Sequence, residues 1–361
     1  MKVLHIINWL ATGGAEKLVV ETLPLYNQQE DFKVDLALLD ATQYPFYKDF
    51  KSDASQIKIV ELSKGSVYNP MLILKILPLL RKYDIIHVHL FPALYWVAIA
   101  KMLSFSKVKL VFTEHSTGNR RLHNRIFRII DRFVYSFYSK IICITPEVRN
   151  QIENLLKIPN NRLVVVNNGI NLNKIKTIKA HKREDFGYVA EDCIIVMVAG
   201  FRIEKDHETL IASLKYLPEN YKLLLVGDGY RRGDIETYIQ KLNLHYRIQM
   251  LGIRSDVYAL LKMSDITVLS SHWEGFGLAA AEGMASEIPV IASNVEGLAQ
   301  VVEEGGVLFE KGNVKELAKK IRILFEDEEI RKEYIRKGKQ KVLNYDIQEM
   351  VNKSVEIYKW K

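Results

Sequence analysis

Short apolar runs recur along the whole chain, and most are separated by stretches with helical periodicity. In the first half the runs at Val3–Ile7, Val34–Leu38, Ile57–Val60, Ile85–His89, Leu110–Thr113, Ile141–Ile144 and Leu163–Val166 read as strands. In the second half the same reading applies to Ile194–Ala199, Lys222–Val226, Ile248–Leu251, Ile266–Leu269, Val290–Ala292 and Val307–Phe309. Helical patterns fall between most of them, for example Ala15–Tyr26, Pro70–Lys82 and Asn124–Tyr138, and Val314–Phe325, Ile330–Leu343 and Ile347–Tyr358 follow the last strand. Such alternation predicts parallel sheets with crossover helices. Two sets of six or seven strands exceed what one sheet usually carries. The expected fold class is therefore α/β, with two doubly wound, parallel-sheet (Rossmann-like) domains facing a cleft. The polar, basic stretch Asn171–Val189 lacks an apolar period and marks the boundary, giving domains at 1–175 and 185–345.

Composition sharpens this picture only in part. The 361 residues are 48% hydrophobic and 26% charged, as expected of a soluble globule of two domains. No apolar run reaches the ~18 to 20 residues a membrane span needs, and Met1-Lys2 leads directly into the first strand, so no signal peptide is expected. Cys143 and Cys193 each lie in an apolar run and read as buried small hydrophobes in a reducing compartment. The net charge of +8 is uneven: residues 1–180 carry 25 Lys and Arg against 14 Asp and Glu. A basic half suits an anionic partner such as a membrane surface or a diphosphate, and ordinary surface lysine accounts for it equally.

The candidate chemistry lies at strand ends, where doubly wound sheets bind ligands. After the strand at Ile266–Leu269 comes Ser270-Ser271-His272-Trp273-Glu274-Gly275-Phe276-Gly277-Leu278, and Glu282 follows on the next helix. The glycines free backbone N–H groups at a helix start, where phosphate or a sugar hydroxyl can dock. Two carboxylates beside such a turn suit a ligand with hydroxyls near phosphates, which is a nucleotide-sugar. Gly13-Gly14 opens the first helix and permits close approach of an anion, although a plain strand-to-helix turn has the same pattern. His115 follows a strand and can bond a sugar hydroxyl; a lone histidine is more often structural, as His5, His87 and His89 are expected to be. Arg202 and Lys205 follow the first strand of the second half and can neutralise a diphosphate leaving group. Gly252-Ile253 opens a turn whose backbone can face a nucleobase, while Asp256 beyond it can cap the next helix. Val226-Gly227-Asp228-Gly229 reads as a structural turn. Arg120, Arg121, Arg125, Arg128 and Arg132 recur at helical spacing among Ile126, Phe127, Ile129, Ile130 and Phe133, which fits either a helix on an anionic membrane or a solvated face. No Asp-x-Asp follows a strand and no His/Cys cluster has ligand spacing, so no catalytic metal is expected; P-loop and nucleophile-elbow motifs are absent from the sequence.

Together these motifs resemble the family-four glycosyltransferases of the group 1 type, which have the two-domain glycosyltransferase B fold. The resemblance runs from the Gly13-Gly14 loop to about Gly312, and its order is specific: Gly-Gly loop, histidine after a strand, Asn168-Gly169-Ile170, Lys205-Asp206-His207, the Gly227–Gly229 turn, then Glu274-Gly275-Phe276-Gly277 with Glu282. It implies a retaining, metal-independent transfer from a nucleotide-sugar, a UDP-sugar here, to a glycan or lipid-linked acceptor. The N-terminal domain would serve the acceptor and the C-terminal domain the donor, with the last helix (346–361) crossing back to the first domain. Glu282 would hold the ribose, Glu274 and the backbone of Gly275, Phe276, Gly277 and Leu278 the donor sugar, and Arg202 and Lys205 the diphosphate. Gly13 and Gly14 would close on diphosphate and acceptor, and His115 would touch the donor sugar. The chain departs from the pattern at Gly200, where many members carry arginine, and at Asn171 and Glu296. A cytoplasmic enzyme at the inner membrane face, in surface-polysaccharide synthesis, would fit. Two competing readings are a UDP-N-acetylhexosamine 2-epimerase and a non-catalytic partner subunit that binds a nucleotide-sugar; no motif supports nucleic-acid binding.

Overall fold

The computed structural model describes residues 1–53, 56–116 and 124–360. The chain forms two compact units, Met1–Gly169 with Ile347–Lys361, and Ile170–Asp346. The division therefore falls at residues 169 and 170, ahead of the basic stretch, which itself folds within the second unit.

In chain order the first unit contains β1 (Lys2–Ile7), α1 (Gly14–Asn27), β2 (Lys33–Leu38), α2 (Pro45–Asp53), β3 (Ile59–Glu61), α3 (Leu72–Ile76), β4 (Ile85–His89), α4 (Ala93–Ser104), β5 (Lys109–Glu114), α5 (Arg125–Ser136), β6 (Lys140–Cys143), α6 (Pro146–Leu156) and β7 (Leu163–Val165). The second unit follows with α7 (Leu172–Thr177), β8 (Cys193–Val198), α8 (His207–Ser213), β9 (Tyr221–Val226), α9 (Arg232–Lys241), β10 (Ile248–Gly252), α10 (Val257–Met263), β11 (Ile266–Leu269), α11 (Leu278–Ala285), β12 (Val290–Ser293), α12 (Ala299–Val302), β13 (Val307–Phe309), α13 (Val314–Glu326) and α14 (Glu328–Val342). The last helix, α15 (Ile347–Tyr358), belongs to the first unit, where Val351, Val355 and Tyr358 share a core with Val3, Leu23 and Tyr26.

Both sheets are parallel and doubly wound, ordered β3-β2-β1-β4-β5-β6-β7 and β10-β9-β8-β11-β12-β13. The expected pair of doubly wound, parallel-sheet α/β domains is the observed one. The central strands are buried on both faces, as in Ile194–Met197 at 0% exposure, which is why they read as unbroken apolar runs. The helix expected over Pro70–Lys82 is shorter: α3 ends at Ile76 and a 3₁₀ turn continues over Leu77–Arg81. Pro78 lies inside that turn, where its missing N–H cannot support an α-helical bond.

Candidate functional site

In the second unit the loops at the carboxyl ends of β8, β9, β11 and β12 interlock. The amide of Phe201 donates to the carbonyl of Asp228 at 3.0 Å, and that of His272 to Glu204 at 2.8 Å. Ser270 Oγ donates to the carbonyl of Asp206 at 2.7 Å, and Ser293 Oγ to that of Ser271 at 2.5 Å. Glycine is required at three crossings. A Cβ on Gly227 would lie 2.1 Å from the Ala199 carbonyl oxygen, and one on Gly229 would lie 2.4 Å from that of Phe201. Gly297, at φ +79°, backs onto the peptide of the central turn: its Cβ would lie 2.3 Å from the Glu274 carbonyl oxygen and 2.8 Å from that of Gly275. The turn after β11 is thus clamped from behind by the loop after β12.

On this frame Lys205 Nζ and Glu274 Oε1 form an ion pair, with Ser271 Oγ donating to the same carboxylate oxygen at 3.1 Å. The two side chains keep 21% and 12% of their surface exposed. Gly275 follows, Phe276 turns inward to meet Tyr345 edge-on at 5.1 Å, and Gly277 adopts φ +86° to start α11 at Leu278. Glu282 lies on α11 at 3% exposure, among the small residues that let this helix approach the sheet. A Cβ on Gly283 would come within 3.0 Å of Thr267 and Val290.

The remaining expected groups are more dispersed. Arg202 is exposed, 3.7 Å from Glu204, and its Nε would lie 3.4 Å from a Cβ on Gly200, so the guanidinium lies against the Gly200 backbone. Gly252 ends β10 at φ +67° and Ile253 beside it is exposed. The side chain of Asp256 does not cap α10. It takes Arg254 on both oxygens (2.8 and 2.5 Å) and His181 at 2.7 Å, and the Arg254 hydrogen bonds hold its pKa at about 2. His207 is buried edge-on against Phe201, and burial beside Lys205 and Arg231 holds its pKa at about 4.

In the first unit Gly13 is the N-cap of α1 and Gly14 its first residue. The Glu16 carboxylate folds back over this turn, 2.2 Å from where a Cβ on Gly13 would sit, and accepts from the Trp9 indole at 3.1 Å. A carboxylate at a helix start complements the helix dipole. His115 follows β5, half-buried, and Nε2 contacts Nδ1 of His89 at 3.2 Å; burial lowers its pKa to about 4. Behind it His5, His87 and His89 converge, with one nitrogen of each within 4.8 Å of the others.

The arginine-rich segment is only partly in view. Arg120 and Arg121 lie outside the described residues. Arg125, Arg128 and Arg132 lie on α5, whose orientation is unusual: Asp131 faces inward to accept from Tyr95, while Ile126 (69% exposed), Phe127, Ile129 (72%), Ile130 and Phe133 face out. The C-terminal end of α4 exposes Met102 and Leu103, and Phe105 just beyond it is exposed too. Among the described residues no helix is long and apolar enough to cross a membrane.

The structure therefore brings Lys205, Glu274, Gly275 and Gly277 onto one set of loops in the second unit, with Glu282 on α11, the helix that the turn opens. Ser271 and Gly297, to which the sequence reading gave no role of their own, hold Glu274 in place; the signal for that role lies in tertiary contact.

Comparison with known proteins identifies the family and the fold. The pattern of "Glycosyl transferases group 1" matches residues 178–341, and that of "Glycosyltransferase Family 4" matches residues 12–174. An uncharacterized glycosyltransferase of Methanocaldococcus jannaschii is 34% identical over 236 residues, 64% of this chain and 62% of that protein, so the match spans about three-fifths of the relative. The N-acetylgalactosamine-N,N'-diacetylbacillosaminyl-diphospho-undecaprenol 4-alpha-N-acetylgalactosaminyltransferase of Campylobacter jejuni is 27% identical over 93% of each chain. Among solved structures, Anabaena HepE in complex with UDP and glucose superposes with a TM-score of 0.86 over 99% of each chain at 21% identity.

Proposed function

We propose that this chain, which belongs to the group 1 glycosyltransferases and has the glycosyltransferase B fold, moves a hexosyl or N-acetylhexosaminyl group from a UDP-sugar to a lipid-linked or glycan acceptor, with retention and without a metal. The observation that carries the reading is the pairing of Lys205 with Glu274 on a glycine turn that opens α11, with Glu282 buried on the same helix. UDP in HepE and the diphosphate-lipid acceptor named for the Campylobacter relative support the donor and acceptor classes.

In this reading Glu282 takes the ribose hydroxyls, and the amides at the start of α11 with Lys205 take the diphosphate. Arg202, whose guanidinium covers Gly200, supplies the second cation. Glu274 and His115 meet the donor sugar, Gly13 and Gly14 the diphosphate and acceptor, and the backbone at Gly252 and Ile253 the base. The acceptor oxygen bonds to the anomeric carbon on the face from which the diphosphate departs. The bond from that carbon to the diphosphate oxygen breaks, and the acceptor proton passes to the departing phosphate. The products are the glycoside and the nucleoside diphosphate. Such a step relies on positioning and on neutralising the leaving group's charge more than on a strong base.

The acceptor class assigns a role to α5. Its five exposed apolar side chains interleave with Arg125, Arg128 and Arg132. Apolar groups entering a bilayer interface and arginines meeting acidic headgroups are what bind a helix to an anionic membrane surface. We take the occupant of this face to be an anionic bilayer, on the cytoplasmic side, where a lipid-linked acceptor of surface-polysaccharide synthesis would be met.

A donor screen tests the assignment. Purified chain is given UDP-, GDP- and ADP-sugars with polyprenyl-diphosphate-sugar acceptors, with and without EDTA, and release of nucleoside diphosphate and the anomeric configuration of the product are followed. EDTA-insensitive release from a UDP-sugar with retention is the expected result. Interconversion of UDP-N-acetylhexosamines without an acceptor, or UDP binding with no turnover on any pair, would replace it with the epimerase or the partner-subunit reading.

A further inference from the structure

The chain passes between the two units at two places, from Gly169 to Ile170 and from Asp346 to Ile347. These crossings run side by side. In the second unit the amide of Ile170 donates to the carbonyl of Tyr345 at 2.8 Å, and Ile170 and Asp346 form an isolated parallel bridge. In the first unit the amide of Gly169 donates to Met350 Sδ on α15 at 3.2 Å. Ile170 is 1% exposed, so the Tyr345 carbonyl, and not water, satisfies its amide. This is the place of the Asn168-Gly169-Ile170 motif in the fold: its last residue bonds to the returning chain.

Tyr345 also touches the glycine turn that opens α11. It ends the 3₁₀ turn Leu343–Tyr345 that follows α14. Its ring packs edge-on against Phe276, with centroids 5.1 Å apart and planes at 87°, a favoured geometry for buried aromatic rings; both side chains are buried. Its hydroxyl donates to the Gln300 carbonyl on α12 at 3.4 Å. Gly297 and Leu298, just before α12, press on the same turn from behind: a Cβ on Gly277 would lie 2.4 Å from Leu298 Cδ1. The ring of Tyr345 thus joins the turn and the loop after β12 in one packed body. Its backbone holds the first crossing, and the residue after it, Asp346, begins the second. Close-packed interiors transmit displacement because they contain few voids to absorb it. A shift of Phe276 is therefore passed to both crossings.

We propose that Phe276 and Tyr345 are positioning residues that couple the glycine turn to both chain crossings, so that a nucleotide seated at the turn steadies the crossings and a disturbed crossing misplaces Glu274. The coupling runs equally in both directions, as linked equilibria require. The ligand half of this inference rests on the donor reading given above; the mechanical half stands on contacts within the second unit alone. An aromatic pair deep inside one unit would only hold that unit together. Tyr345 differs because it is bonded to one crossing and adjacent in sequence to the other.

The test is hydrogen exchange at the Ile170 amide of the full chain, read at times too short for the β9 core to exchange, so that global unfolding contributes nothing. Saturating UDP should slow this amide roughly fivefold or more in the wild-type chain. Tyr345→Leu removes the ring and keeps the backbone carbonyl to which Ile170 donates. This variant should bind UDP within about twofold of wild type, lose the slowing, and lower kcat roughly tenfold, because a displaced turn misplaces Glu274 for the transfer. A general loss of packing would not split kcat from UDP binding in this way. Phe276→Leu disturbs the same contact from the other side and, with no ligand present, should speed exchange at Ile170 roughly fivefold. An Ile170 amide indifferent to bound UDP overturns the proposal even if both variants fail to fold. Slowing that persists in Tyr345→Leu overturns it too, since the nucleotide would then shield Ile170 by another route. If UDP does not bind the wild-type chain, the donor reading is withdrawn and the ligand-free arm decides: an unchanged rate in folded Phe276→Leu overturns the coupling, and a faster one sustains it.

Discussion

The buried histidines make the first unit acid-sensitive in a window that carboxylates do not reach. An unfolded histidine has a pKa near 6.5, whereas His5 and His115 are held at about 3 and about 4 in the folded chain. The folded pKa lies below the unfolded one. The stabilisation is therefore complete above about pH 6.5 and is lost as the pH falls toward the folded value. From about pH 7 to about pH 5 the unfolded form of each group gains about three-quarters of a proton and the folded form gains almost none, which costs about 2 kcal/mol per group. His5 and His115 together give about 4 kcal/mol, and His87 and His89, also held well below the ordinary value by burial, add to the loss in the same direction. That is already close to the lower end of the whole stability of an ordinary domain, about 5 to 15 kcal/mol. Carboxylates whose pKa is lowered, such as Asp256 at about 2, lose their contribution only below about pH 4. The four tryptophans allow a clean assay. Trp9, Trp96 and Trp360 belong to the first unit and Trp273 to the second. In a Trp273→Phe chain, intrinsic fluorescence during urea unfolding therefore reports the first unit. The urea midpoint should fall steeply between about pH 7 and about pH 5. A loss of less than about 2 kcal/mol over that range would refute the claim that these imidazoles are buried neutral.

Three further expectations concern the proposed site and surface. Glu282→Ala should weaken UDP binding roughly tenfold or more by removing a buried carboxylate from the ribose, and a calorimetric titration equal to wild type, in a chain of unchanged fold, would remove that role. Gly297→Ala places a Cβ against the Glu274 and Gly275 carbonyls at a left-handed φ, so the strain of about 1 to 3 kcal/mol should displace the turn and lower kcat; unaltered kcat would show that the clamp is slack. Replacing Arg125, Arg128 and Arg132 by Glu should abolish sedimentation with anionic liposomes, and Ile126→Ser with Ile129→Ser should weaken it at constant charge; retention of both would return α5 to a solvent-facing role.

Strand positions were legible because buried parallel strands are apolar on both faces, and the strand-end glycines and acids could be placed from them. The helix ends followed from local chemistry too: Asn124, Asn313 and Asp327 cap α5, α13 and α14 through their own side chains. What stayed hidden depends on strand order. His5, His87 and Thr113 are far apart in sequence, and they meet because β4 pairs with both β1 and β5, setting His5 opposite His87. Taken singly each histidine has the ordinary structural reading; only the order β1-β4-β5 makes them one cluster. The part played by Gly297 is hidden for the same reason, since its contact is with a turn reached from another strand. The α5 reading changed in kind. Helical spacing showed alternating arginine and apolar residues, but not that Asp131 faces the core and the apolar residues face out.

Lys205 and Glu274 neutralise one another, and this has a consequence of opposite sign to Glu282→Ala. A diphosphate bound at Lys205 competes with the Glu274 carboxylate for the same ammonium, and it brings negative charge beside that carboxylate. Glu274→Gln keeps the shape and the Ser271 contact but removes the charge, so Lys205 is left for the phosphate. UDP, which lacks the sugar, isolates this effect from any contact between Glu274 and the donor sugar. For a pair that is partly exposed the competition amounts to about 1 kcal/mol, or roughly fivefold tighter UDP binding. Turnover should move the other way and fall roughly a hundredfold, because the charge facing the reacting sugar is gone. Calorimetry with UDP and steady-state rates on the same preparation separate the two. Weaker or unchanged UDP binding in Glu274→Gln would mean that Lys205 does not meet the diphosphate, and the leaving-group role would pass to Arg202.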